Sequence, residues 1–218
     1  MKRREFVVST LGGVVGFSAM SRASGQGTTV APNLATLANA KRLTLINRGA
    51  SGFIDGARHG VRLDAGRGEG LALLPGVEFR YGTIACDIRG QDVAQQSFVG
   101  VAFHGDGAAA YDGVYFRPFN FNAADPAGRS HAVQYHSPPL YTWQKLRAER
   151  PGQFEQAVTP APDPNEWFHA RIVVADPTVR VFVGDAKDPC LVVDLLNDRR
   201  RGSVGVWVGN NSGGEFAN

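Results

Sequence analysis

From Leu43 onward the chain is a succession of short runs in which apolar and polar residues alternate, each bounded by Gly, Pro, Asn or Asp. The clearest are 79–89 (FRYGTIACDIR), 97–104 (SFVGVAFH), 111–121 (YDGVYFRPFNF), 131–136 (HAVQYH) and 167–174 (WFHARIVV). A period of two puts successive side chains on opposite faces of a strand. The β-branched and aromatic residues that fill these runs suit a half-buried pleated surface. No stretch carries a helical period, and only residues 144–156 read as a short helical turn. The 27 glycines and 12 prolines supply the turns that many short strands need. Regularly spaced strands joined by hairpins predict an all-β fold, a two-sheet antiparallel jelly-roll sandwich over residues 41–218. Residues 213–218 (GGEFAN) open one more strand, expected to be very short or truncated.

The N-terminus reads differently. Lys2, Arg3 and Arg4 precede an uncharged, weakly apolar stretch from Val7 to Met20, and Ser21-Arg22-Ala23 supplies small residues for cleavage. This is the three-part pattern of a secretory signal, and the apolar part is too short to span a bilayer stably. The Arg3-Arg4-Glu5-Phe6 core, the dilute apolar region and Arg22 resemble a twin-arginine signal. Residues 1–23 are therefore expected to be removed, residues 24–40 to form a linker, and the product to be periplasmic or secreted. No later segment is apolar enough to anchor it in a membrane. Residues 1–23 hold four basic residues and one acidic, so 19 of each sign remain of the chain's 23 and 20. A mature part without net charge gives no basis for a nucleic-acid partner. The one basic run, Arg199-Arg200-Arg201, reads as a solvated loop.

About 195 residues then remain, enough for one domain with a sizeable core. Cys86 and Cys190 could pair in an oxidising compartment. A chain that folds before export does so in a reducing cytosol, which favours two separate buried thiols.

The ordered set FVGVAFHG, YDGVYFRPFNF, HAVQYHS, EWFHARIVVADPTVRVFVGD, LVVDLL and GSVGVWVGNNSGGEFAN resembles the concanavalin A-like lectin/glucanase superfamily in its laminin-G-like form. The layout is similar to the 3-keto-disaccharide hydrolase family. The matching residues are Trp167, Arg171, Val181, Val183, Gly202, Val204, Gly205, Phe216 and Asn218. The resemblance spans residues 42–218 and implies a jelly roll whose concave sheet carries a carbohydrate site.

The residues suggest where such a site would lie. Alternation puts Tyr115, Arg117 and Phe119 on one face of their strand, and Gln134 and His136 on one face of theirs. Pro118 cannot donate to a ladder, so the strand ends or bulges there, which is expected to expose Arg117 and Asn120 at a sheet margin. If the two strands are neighbours, Tyr115, Arg117, Gln134 and His136 share a surface with polar forks and a ring. That is the chemistry that bonds sugar hydroxyls and stacks on a sugar's CH face. A solvated sheet face with a structural Arg–carboxylate pair is the other reading. The loop 137–155 adds Tyr141, Trp143, Lys145 and Arg147, read as a lid.

No strand carries the E-x-D-x-x-E pattern that would line up carboxylates for glycoside hydrolysis, and Glu78, Asp87 and Asp194 stand alone. The family likeness instead implies elimination from a 3-keto-glycoside, which needs one base and a polariser. His136 or His104 would be the base and Arg117 the polariser. The five His residues lack metal-ligand spacing, and no cofactor motif is present. Asp106 and Asp112 bracket a loop with the composition to touch Ca²⁺. The leading expectation is an exported carbohydrate-binding domain recognising a glycan or glycoside. The alternatives are a glycoside-acting hydrolase or lyase of the 3-keto-disaccharide hydrolase type, and a structural or protein-binding laminin-G-like module.

Overall fold

The computed structural model describes residues 7–10, as backbone, and 28–217. The signal-peptide reading of residues 1–23 therefore lies outside the described residues, apart from β1 (Val7–Thr10). Then follow β2 (Thr28–Val30), helix α1 (Leu34–Asn39), β3 (Thr44–Ile46), β4 (Ala50–Asp55), β5 (Arg58–Leu63), β6 (Gly70–Phe79) and β7 (Gly82–Arg89). The middle of the chain gives β8 (Val99–Asp106), β9 (Ala110–Phe116), α2 (Pro126–Arg129), β10 (Val133–His136), α3 (Trp143–Glu149) and β11 (Glu155–Gln156). The last part gives β12 (Phe168–Ala175), β13 (Thr178–Val183), β14 (Leu191–Asp194), β15 (Gly202–Val208) and β16 (Gly214–Ala217).

These strands make two antiparallel sheets stacked as a jelly-roll sandwich. The first runs β14-β13-β12-β7-β16-β5-β4, with β1 and β2 added beside β7. The second runs β11-β10-β9-β8-β15-β6-β3. Alternation sends one set of side chains between the sheets. Ile84, Cys86 and Ile88 of β7 and Phe168, Ala170 and Ile172 of β12 meet Val99, Val101 and Phe103 of β8 and Val114 and Phe116 of β9. All are buried, and each large aliphatic or aromatic side chain so removed from water contributes about 2 kcal/mol. The terminal strand is short but central: β16 bonds β5 on one side and β7 on the other.

Two expectations are corrected here, and the favoured reading of two separate thiols is met. Residues 34–39, read as linker, form α1, capped by Asn33 through its side chain, with Leu34, Ala35 and Ala38 buried. At six residues the helix is too short to show a period. Arg199 and Arg200, read as solvated, are held: Arg199 NH2 donates to Ser137 Oγ (3.0 Å) and Arg200 Nε pairs with Asp176 (2.8 Å). Cys86 and Cys190 are free thiols, the first buried and the second half-buried.

A polar knot sits at one end of the core. His104 Nδ1 lies 3.1 Å from Asp112 Oδ2, and Nε2 lies 2.7 Å from the Arg80 carbonyl. Tyr135 Oη and Asn197 Nδ2 both donate to Asp112 Oδ1, each at 2.7 Å. Asp112 is therefore fully engaged, while Asp106 ends β8 at the surface, so the structure does not unite the pair suggested for Ca²⁺. Burial alone would raise the Asp112 carboxyl. The hydrogen bonds from His104 and Tyr135 outweigh it and hold the group below the usual carboxylate range. A carboxylate so depressed stabilises the fold above about pH 4 and loses that contribution as pH falls through its folded value. Asp112→Ala should cost about 3–5 kcal/mol in urea unfolding at pH 7, by stranding the buried imidazole, and should flatten the acid limb of the stability curve.

Candidate functional site

The outer face of the second sheet carries a second aromatic cluster, separate from the core. Register explains it. Trp207 of β15 pairs with Gly100 of β8, Gly100 with Tyr115 of β9, Tyr115 with Gln134 of β10, and Gln134 with Glu155 of β11. One rung along, Gly205 pairs with Ala102, Ala102 with Gly113, and Gly113 with His136. Small residues in both rows leave room for large rings to lie across them. A Cβ on Gly113 would stand 2.3 Å from His136 Nε2, so that glycine is required by the imidazole resting on it.

The rings interlock. Tyr115 lies 4.9 Å from Trp207 and 5.1 Å from His136, centroid to centroid, and Tyr111 lies 5.6 Å from His136. Trp207 Nε1 donates to Tyr111 Oη (2.8 Å), and that hydroxyl in turn donates to Glu69.

A polar fork borders them. Arg117 NH2 donates to Tyr115 Oη (2.6 Å) and Gln134 Oε1 (2.5 Å), and NH1 to the His131 carbonyl (2.6 Å). Its guanidinium also lies 4.8 Å from the Tyr115 ring centroid. Glu155 is its counter-charge at 3.7 Å, only 3% exposed in its side chain. Arg147 grips Glu155 with Nε (2.9 Å) and NH2 (2.6 Å), a bidentate pair that raises the Arg147 guanidinium. Burial lowers Arg117.

The four side chains expected to share a face, Tyr115, Arg117, Gln134 and His136, are thus brought together, but all four are buried. The expected exposure of Arg117 is therefore corrected: its guanidinium is turned onto Tyr115, Gln134 and the His131 carbonyl. Asn120 stands behind Arg117, its Nδ2 donating to the same His131 carbonyl (3.4 Å). Arg147 joins through Glu155, and Trp143, 37% exposed, lies 5.1 Å below its guanidinium at the rim. Of the loop read as a lid, Leu146 and Phe154 enter the core instead. His104 is not brought to this face: it is sealed in the Asp112 knot on the inner side. Nor is Asp87 alone, since it accepts from Arg58 Nε (3.0 Å) and His169 Nδ1 (2.8 Å). Sequence reasoning missed Glu155, Glu69, Tyr111 and Trp207. The alternation of 203–208 marks Trp207 as facing away from Val206 and Val208, but no local signal says which face lies beside Tyr115.

Two buried nitrogens on this face, Gln134 Nε2 and His136 Nε2, have no hydrogen-bond partner among the described residues. Burial pushes the His136 imidazole down to about 4, against the opposing pull of Glu69 and Asp112. It is therefore neutral at ordinary pH. No group of three or more potential metal ligands occurs among the described residues.

The architecture is a two-sheet antiparallel jelly-roll sandwich, a fold found in solved structures. Carbohydrate-binding module CBM66 from Bacillus subtilis superposes with a TM-score of 0.56 at 13% identity, over 81% of this chain and 92% of that one. A Bacillus subtilis protein of unknown function with a galectin-like fold gives 0.53 at 11% identity, over 85% and 92%. These likenesses establish the fold and not the narrower 3-keto-disaccharide hydrolase resemblance. No family model matches the sequence, and no curated protein matches it.

His136 yields a pH signature. Its unfolded form binds a proton near pH 6.5 and its folded form only near 4, so native stability falls as pH drops through that window. The loss should be about 3 kcal/mol, and urea titrations of His136→Gln should show a correspondingly shallower slope between these pH values.

Proposed function

We propose that this domain binds carbohydrate on the outer face of the second sheet. The observation that carries the reading is the pre-organised set Tyr115, Arg117, Gln134 and Glu155 beside two buried nitrogens without partners. A sugar ring offers CH faces for Trp and Tyr and hydroxyls that both donate and accept. Arg117, buried and already fixed by three acceptors, holds the polar groups in place with little further loss of rotamer entropy when a ligand arrives. The carbohydrate-binding module among the fold neighbours adds support from a protein of the same architecture.

Binding fits better than turnover. A histidine held near 4 is a good hydrogen-bond acceptor but a weak general base at neutral pH. The twin-arginine-type N-terminus adds that recognition takes place in the periplasm or outside the cell.

The test is affinity electrophoresis and calorimetry on a panel of neutral polysaccharides and their oligosaccharides. Gln134→Ala and Trp143→Ala should each weaken binding about tenfold or more, while Lys145→Ala leaves it unchanged. Trp143 is exposed, so its variant keeps the wild-type melting temperature and isolates the contact. Binding that survives both changes, or cleavage of a 3-keto-disaccharide with no binding of intact glycans, overturns the reading.

A further inference from the structure

The first sheet has an outer face of its own, built on other chemistry. Register places Arg62 of β5, Glu215 of β16 and Arg89 of β7 in one row. Glu215 accepts from Arg62 Nε (2.8 Å) on one oxygen and from Arg89 Nε (2.6 Å) on the other. The Arg89 guanidinium extends to within 4.7 Å of the Trp167 ring centroid, and Trp167 in turn donates from Nε1 to Asp55 (3.0 Å).

This row floors an open cleft of about 670 Å³, whose walls include Gln91, Gln96 and Asn211. The volume falls within the range of small-molecule sites. The loop at 90–97 is fixed by backbone bonds: Gln91 N–H donates to Ser97 Oγ and Asp92 N–H to Asn165 Oδ1, each at 2.9 Å. The carboxamides of Gln91, Gln96 and Asn211 make no hydrogen bond to any described residue. The charged lining is balanced, Arg62 and Arg89 against Asp64 and Glu215. Balanced charge gives no net attraction for an anion. Free carboxamides, each able to donate and accept, match a neutral polyhydroxylated molecule.

We infer that this cleft is a second carbohydrate site, taking a neutral mono- or disaccharide, on the sheet opposite the face described above. It stands on its own lining and does not depend on the first face binding anything. Two sites on opposite sheets would let one domain bridge two chains of a polysaccharide, or two segments of one, and gain avidity without new contacts.

The test is an NMR titration of the full chain with maltose, cellobiose, sucrose and trehalose to about 20 mM, reading the side-chain amide signals of Gln91, Gln96 and Asn211. At least one sugar should shift all three. The triple variant Gln91→Ala, Gln96→Ala, Asn211→Gly should weaken that sugar about tenfold and keep its melting temperature. Glycine suits position 211, where φ is 56°. Gln134→Ala should leave the cleft titration untouched. No amide shift with any of the four sugars, or the same affinity in the triple variant, overturns the inference. Binding lost only in Gln134→Ala overturns it while leaving the first face standing. Binding lost only in the triple variant supports it and removes the first face.

Discussion

The buried carboxylate of Glu155 is the charge on which the outer face of the second sheet depends. A lone carboxylate at that depth would cost several kcal/mol, and removing one partner of a buried pair is as costly. Here the charge is met from two directions: by Arg147, reaching down from α3, and by Arg117, at the end of β9. His131 lies 3.0 Å away as well. These contacts tie three chain segments together. The helix in the 137–155 loop, the margin of β9 and the edge strand β11 all converge on one pair of oxygens. Because Arg117 is bound on that side, its other donors are aimed at Tyr115 and Gln134. The polar fork and the aromatic floor are thereby one unit.

How much of this was legible follows from what kind of information each contact needs. Alternation along a single strand was sufficient to put Gln134 with His136 and Tyr115 with Arg117. It failed for His104 because period two assumes an unbroken ladder. The register of β8 against β9 shifts between Phe103 and Asp106, and His104 takes φ of 51° there. That bulge turns inward a side chain that strict alternation would send outward. Glu155 was invisible for another reason. Its strand has two residues, too few to show a pattern, inside a segment that composition marks as loop. Trp207 reaches Tyr115 only through the strand order β15-β8-β9, which no local spacing encodes. The short α1 went unread because it buries three residues without completing a recognisable stripe.

The two outer faces solve the same problem in opposite ways. A sandwich buries one side of each sheet, and the other side must be reconciled with water. The second sheet does so by covering small residues with rings and placing its charges at the end of the row. The first keeps its charges in the middle, as an Arg–Glu–Arg row and an Arg58–Asp87–His169 group, and leaves open space beside them. Between the faces lies a close-packed core of side chains from both sheets. Such a core transmits little unless it has two packings to choose from, so the two faces are expected to act independently.

The electrostatics of the second-sheet face also bear on whether it would bind or react. Every strong charge there already has a partner: Glu155 with two guanidiniums and Glu69 with the Tyr111 hydroxyl. A retaining or inverting glycosidase needs one carboxyl free to give a proton and another free to attack or to activate water. Neutralised pairs and an unprotonated, desolvated imidazole lack that asymmetry. What they do provide is a fixed array of donors and acceptors. A hydroxyl-rich ligand needs such an array when recognition, and not bond cleavage, is the outcome.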